Sequence, residues 1–129
     1  MPARHPCPCC GHLVFDQSPG SYDLCPVCFW EDDGLQLAHP MMDGGANSVS
    51  LFQSQWNFSQ VGACEARFIP NVRPPAPDEP LDPAWRRFDP ATDPHLDFDS
   101  PEDEKLWKAA PTNANLYYWQ PGYWLAGGK

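Results

Sequence analysis

Basic side chains are scarce in this sequence, which has 8 Lys and Arg against 17 Asp and Glu and a formal net charge of −9. Proteins that bind nucleic acid neutralise its phosphates with Lys and Arg, so this composition argues against a nucleic-acid partner. Residues 1–34 carry one basic side chain, Arg4, against five carboxylates. Such a surface would attract a basic protein, although the same charge can also serve only to keep the chain soluble.

Long apolar runs are missing as well. No stretch approaches the roughly 18 apolar residues of a membrane-spanning helix, and the first ten residues, MPARHPCPCC, lack the apolar centre of a signal peptide. We therefore expect no membrane partner and a cytoplasmic location. Thiols stay reduced in that compartment, so closely spaced cysteines there favour metal binding over disulfides. The sequence predicts no particular oligomeric state.

The motifs of common catalytic sites are also absent: there is no Ser-His-Asp order, no H-E-x-x-H and no Gly-rich phosphate loop. This lowers the expectation of an enzyme without excluding one. Clustered carboxylates bind hard cations or perform acid–base chemistry, but on a surface loop they more often face water or a basic partner. The candidates lie in or near the stretches WEDD (30–33) and GGAN (44–47): Glu31, Asp32, Asp33, His39 and Asp43.

Cysteine, by contrast, is concentrated at one end of the chain. Cys7 and Cys10 form one C-P-x-C pair, and Cys25 and Cys28 form a second. Proline fixes φ at the bend of such a turn, and Gly11 after the first pair allows it to close, so that each turn aims two sulfurs at one ion. Four thiolates in a tetrahedron are a structural zinc site, and we predict Zn²⁺ there. Iron in the same cage, redox chemistry and disulfides are the alternatives.

A closed site of four thiolates leaves no position for water, so it stabilises the fold and does not activate a nucleophile. Cys9 is predicted to be a non-ligand that faces solvent or packs locally, with a redox or ligand-exchange thiol as the alternative. Cys64 is predicted to be a small buried hydrophobe. His5 and His12 flank the first pair and could replace a cysteine ligand, although four cysteines already suffice.

The first part of the chain predicts a hairpin and one helix. Residues 12–16 and 21–25 have the composition of two short strands, joined by the turn QSPG. The helix starts at the N-cap Ser50, where Gln53 would complete a capping box, and ends at Gly62. Its apolar side is predicted from Leu51, Phe52, Trp56, Phe58 and Val61.

The second part is unusual in its proline content. Residues 70–101 hold nine of the 17 prolines, which predicts an extended arm with little regular structure. Residues 100–110 predict a short helix capped by Ser100. The segment 115–125 has five aromatic residues and is either buried or a binding surface. Four apolar side chains could anchor the arm to the body: Trp85, Phe88, Leu96 and Phe98.

Together these observations predict a small α+β protein in two parts. Residues 1–69 would form a zinc-ribbon-like domain with a β-hairpin, the four-cysteine site and one main helix. Residues 70–129 would add the Pro/Asp-rich arm, a short C-terminal helix and the aromatic tail, packed on the same body.

We predict that such a protein is a non-enzymatic, zinc-stabilised module that binds a basic protein partner, in one version as an immunity or antitoxin-type inhibitor. The aromatic tail and the acidic arm would form its working surface, since Tyr and Trp are common interface anchors. A small metal-containing enzyme that uses the WEDD and GGAN loops is the alternative.

Four ordered blocks of the sequence resemble the bacterial cysteine-rich CPCC family: CPCCG (7–11), GSYDLCPVCFWEDD (20–33), GGANSVSL (44–51) and GACE (62–65). The resemblance covers roughly residues 5–70. It implies a small zinc-binding domain, often found in stand-alone proteins, and no particular activity. The chain beyond about residue 75 lies outside it.

Overall fold

The computed structural model describes residues 4–125, which form a small α+β structure around a cluster of four cysteines. None of the helices it describes is long and apolar enough to cross a membrane. In chain order, the elements are β1 (His5–Pro6), β2 (Leu13–Phe15), α1 (Gly34–Ala38), α2 (Leu51–Val61), a 3₁₀ helix (Ala66–Asn71) and α3 (Pro101–Lys108).

The β-hairpin differs from the prediction in its pairing. Strand β2 lies within the predicted segment 12–16, but it pairs antiparallel with β1, and the predicted strand at 21–25 is wrong. That segment instead turns back on the residues that follow the second cysteine pair, with the N–H of Tyr22 donating to the Asp32 carbonyl at 3.0 Å. The chain reverses at each cysteine pair, so the nearest partner of each segment lies across its own turn.

Helix α2 begins and ends as predicted. The Ser50 side chain accepts from the N–H of Gln53, and Gly62 closes the helix with a left-handed φ of 78°. The other half of the predicted capping box is not formed, because the Gln53 side chain donates to Asn57 at 2.8 Å.

The buried face of α2 was predicted only in part: Leu51 is buried, and Phe52 and Phe58 pack against the core as expected. Ser54 and Gln55 are buried beside Leu51, whereas Trp56 and Val61 keep 44% and 41% of their surface exposed. The Gln55 amide is buried because it connects distant segments: it donates to the carbonyl of Pro8 and to the hydroxyl of Tyr118, both at 2.9 Å. Buried polar groups are tolerated where hydrogen bonds satisfy them.

The arm and the C-terminal part follow the prediction in outline. Between Asn71 and Pro101 the structure has no helix and no strand, and α3 begins after the N-cap Ser100. Phe88 and Leu96 are buried at 3% and 2% exposure, as expected of anchors, but Phe98 is 57% exposed and is not a buried anchor.

The aromatic tail is buried, which removes it as a binding surface. Tyr117, Tyr118, Trp119 and Tyr123 all join the hydrophobic core. The same core contains all six cysteines, so the four-cysteine cluster and the tail share one interior. The division of the chain into two domains at residue 69 stays a prediction.

Candidate metal centre

Each cysteine pair lies in a tight turn, and the two turns have the same hydrogen-bond pattern. In the first, the N–H of Cys7 donates to the His12 carbonyl at 2.9 Å, and the N–H of Gly11 donates to the Cys7 carbonyl at 2.7 Å. In the second, the N–H of Cys25 donates to the Trp30 carbonyl at 3.0 Å, and the N–H of Phe29 donates to the Cys25 carbonyl at 2.8 Å. The C-P-x-C sequence therefore builds the same local frame twice.

The residue after each pair has a positive φ, 81° at Gly11 and 71° at Phe29. Glycine adopts this conformation freely, which is the role predicted for Gly11, whereas a residue with a Cβ does so at a cost of about 1–2 kcal/mol. The Phe29 ring packs on Phe68 with centroids 4.7 Å apart. This aromatic contact offsets the cost of the backbone conformation in the second turn.

The two turns bring the four predicted thiols together. The Sγ atoms of Cys7 and Cys28 lie 3.6 Å apart and those of Cys10 and Cys25 lie 3.8 Å apart. All four sulfurs lie within 4.8 Å of one another, and the four residues are buried. Four sulfurs placed tetrahedrally at the Zn–S distance would be about 3.8 Å apart. A disulfide requires about 2 Å, and these cysteines are free. The four cysteines are thus positioned to bind a metal ion.

Burial and mutual hydrogen bonds shift the pKa values of the clustered thiols in opposite directions. Burial raises the pKa of the Cys7 and Cys28 thiols well above its ordinary value. Burial opposes ionisation at Cys25 too, but hydrogen bonds from the neighbouring thiols outweigh it and lower the pKa of Cys25. The N–H of Val27 adds a further donor to the Cys25 sulfur at 3.4 Å. Four thiolates can coexist in this volume when a cation binds them.

The remaining cysteines and the flanking histidines lie outside the four-thiol cluster. Cys9 is fully buried and its thiol donates to the Ser54 carbonyl at 3.4 Å, so it packs locally and does not face solvent. Cys64 is buried, as predicted for a small hydrophobe. His12 uses its Nδ1 in a 2.8 Å contact with the Glu79 carbonyl, and His5 lies in β1.

The chain matches the family model described as Cysteine-rich CPCC over residues 5–79. It belongs to this family. Among curated proteins no match is found. The matched region includes both C-P-x-C turns, α1, α2 and the 3₁₀ helix, while α3 and the aromatic tail lie beyond it.

Residues beyond the CPCC match cover the first cysteine turn. The N–H of Asp82 donates to the Gly11 carbonyl at 2.8 Å, and the indole N–H of Trp85 donates to the Pro8 carbonyl at 2.9 Å. The Trp85 ring occupies the space in which a Cβ of Gly11 would lie. Sequence reasoning predicted Trp85 as an anchor, but nothing in the sequence indicated that it would lie over this turn.

The WEDD carboxylates of the CPCC domain do not form the predicted surface loop. Asp33 is 4% exposed and is the N-cap of α1: its Oδ1 accepts from the N–H groups of Leu35 and Gln36, and its Oδ2 accepts from Ala46. Asp32 is 2% exposed and accepts from the Ser21 hydroxyl at 2.8 Å. Burial raises the pKa of Asp32, and the Ser21 donors offset part of this effect.

The WEDD and GGAN loops do lie side by side, but hydrogen bonds between them occupy their polar groups. Asn47 accepts from the N–H of Glu31 and donates to its carbonyl, both at 2.9 Å. Gln36, which sequence reasoning missed, donates to the carbonyls of Met42, Asn47 and Val49. The acidic N-cap of Asp33 was a visible signal for α1, but nothing in the sequence indicated the role of Gln36.

The other two enzyme candidates lie apart from these carboxylates. His39 is 3% exposed, and its Nδ1 lies 2.8 Å from the Leu35 carbonyl. Asp43 is exposed and lines a separate groove with Asp97 and Asp99. Asp32 and Asp33 therefore hold the loops in place, whereas Asp43 faces solvent, and among the described residues no three of these candidates lie close enough to share one ion.

Proposed function

We propose that the protein is a zinc-stabilised binding module in which the metal centre is the frame and a basic protein is the partner. The observation that supports the zinc-stabilised frame is the group of four buried sulfurs within 4.8 Å of one another. Zinc takes four thiolates in a closed tetrahedral site without redox chemistry, and such a site supplies folding energy. The paired turns, each closed by short backbone pairing, support a zinc-ribbon-like frame.

The charge distribution supports a basic partner. Five of the eight Lys and Arg form ion pairs with acidic side chains within the described residues. The protein's own bases are thus largely occupied, and the excess of carboxylates is left to face solvent. An excess of one sign steers a partner of the opposite sign towards the surface. As part of this proposal we place the protein in the cytoplasm, where free thiols persist.

The metal assignment is tested by replacing each cysteine by Ser and measuring bound zinc by elemental analysis of the purified protein. We expect C7S, C10S, C25S and C28S each to lose zinc, and C9S and C64S to retain one equivalent. The last two are matched controls because both are buried cysteines outside the cluster. Visible absorbance of the wild-type protein would indicate iron and contradict zinc.

The binding function is tested by native mass spectrometry of the protein isolated gently from its own host under reducing conditions. We expect a monomer with one zinc and a second, basic protein in stoichiometric amount. A zinc-bound monomer without a partner would contradict the binding function and leave the metal assignment standing. The enzyme alternative receives no support from the WEDD carboxylates, because Asp32 and Asp33 are buried and hydrogen-bonded.

A further inference from the structure

A groove of about 400 Å³ lies between the loop that follows α1 and the end of the arm before α3. Residues 41–43 line one side and residues 95–99 line the other. We refer to this surface as the acidic groove. It is separate from the four-cysteine cluster, whose residues do not line it.

Two large apolar side chains in the acidic groove are exposed. Met41 is 47% exposed and Phe98 is 57% exposed, although the neighbouring Leu96 is buried. Phe98 is supported from beneath by an edge-to-face contact with the His39 ring, with centroids 5.7 Å apart. An exposed aromatic ring beside a flexible methionine is a surface that adapts to apolar side chains of a partner.

Three exposed carboxylates accompany these apolar side chains: Asp43, Asp97 and Asp99. No Lys or Arg lines the groove, and none of the three forms an ion pair with a residue that the structure describes. The first turn of α3 extends the negative charge, because Asp103 accepts from the N–H of Asp97 at 2.6 Å. The groove thus combines apolar contact with uncompensated negative charge.

We infer that the acidic groove receives a basic amphipathic segment of the partner, whose apolar side chains contact Met41 and Phe98 while its Lys or Arg side chains pair with the surrounding aspartates. The inference rests on the proposed binding function and assigns it a surface. Charge complementarity selects the occupant: a second copy of this chain carries the same net charge of −9 and would be repelled.

The test uses the zinc-loaded full chain and a fluorescent synthetic peptide of Leu and Lys residues arranged as an amphipathic helix. A second peptide with Glu in place of Lys is the probe control. Binding is measured by anisotropy at low and at physiological salt. We expect the Lys peptide to bind more weakly as salt rises, because salt screens exposed charges, and the Glu peptide not to bind.

Two pairs of variants locate the binding. D97N/D99N is expected to weaken binding of the Lys peptide about tenfold. D16N/D23N, which removes two exposed carboxylates elsewhere, should weaken that binding less than about twofold. For the apolar contact, M41S is expected to weaken binding several-fold and L106S to leave it unchanged. Leu106 is a matched control because it is 50% exposed and does not line the groove.

Each outcome decides between the groove and the wider proposal. Equal weakening of peptide binding by D97N/D99N and D16N/D23N would mean that only net charge acts, and it would overturn the assignment of the acidic groove as the binding surface. Binding that none of the groove variants changes would also overturn the groove but leave a basic partner in place. Failure of the wild-type protein to bind the Lys peptide at low salt would overturn both.

Discussion

Gly11 occupies a backbone position that excludes larger residues for two separate reasons. Its φ of 81° lies in the left-handed region, which costs a residue with a Cβ about 1–2 kcal/mol. A Cβ on Gly11 would also lie 2.6 Å from Cδ2 of Trp85, well inside van der Waals contact. Gly62 shares the first constraint, with a φ of 78°, but a Cβ there would have no atom within 4 Å.

Replacing these two glycines by Ala separates the two costs. We expect G62A to lower the free energy of unfolding by about 1–2 kcal/mol, from the backbone conformation alone. G11A is expected to lower it by about 2–5 kcal/mol, because overpacking against Trp85 adds to that cost. Urea unfolding of the zinc-loaded variants measures both losses. In the W85A background the additional loss at Gly11 should become smaller, with Leu81 Cδ1, 2.9 Å from the added Cβ, accounting for the remainder. Equal losses for the two single variants would contradict the contact with Trp85.

The four clustered cysteines could be predicted at this scale, whereas the buried amides could not. The two C-P-x-C pairs are local signals, because each places two sulfurs within one turn whatever the remainder of the chain does. Gln55 gave no such signal, since a polar residue on a helix is predicted to face solvent. Its partners, Pro8 and Tyr118, lie 47 and 63 residues away in the chain and become visible only in the fold.

At the scale of elements, residues 80–85 of the arm lie beside the β1–β2 hairpin and pair with its backbone. The Pro80 carbonyl accepts from the N–H of Leu13 at 2.9 Å, and the N–H of Asp82 donates to the Gly11 carbonyl at 2.8 Å. Trp85 then covers the turn that holds Cys7 and Cys10. The proline content correctly predicted an arm without helix or strand, but backbone pairing with a distant edge leaves no pattern in the sequence.

This cover is expected to slow the release of zinc. Replacing Trp85 by Ala removes the ring over Gly11 and the hydrogen bond to Pro8, so the first turn should open more often. We expect zinc to transfer to a chromophoric chelator several-fold faster from W85A than from the wild-type protein. W56A is the control, because Trp56 is 44% exposed on α2 and its ring packs against the Arg87 guanidinium. Equal release rates for both variants would contradict a covering role.

Within residues 4–125, one core extends from the four-cysteine cluster to the aromatic tail. The cysteines share this core with Trp30 from the second turn, Leu51 from α2, Phe88 from the arm and Tyr118 from the tail. The sequence indicated a separate cysteine-rich part because the thiols are close together in the chain. Contacts between distant segments join that part to the tail, and the aromatic residues that resembled a binding surface fill the interior.

Removal of zinc is therefore expected to unfold the tail together with the cysteine turns. Zinc contributes about 10–16 kcal/mol in small four-ligand domains, which matches or exceeds the about 5–15 kcal/mol that stabilises an ordinary domain. Hydrogen exchange with mass spectrometry, before and after treatment with a strong chelator, measures this by segment. Peptides that cover 5–31 and 115–125 should lose protection together and regain it when zinc is restored. Protection that persists in 115–125 of the metal-free protein would mean that the tail folds independently of the centre.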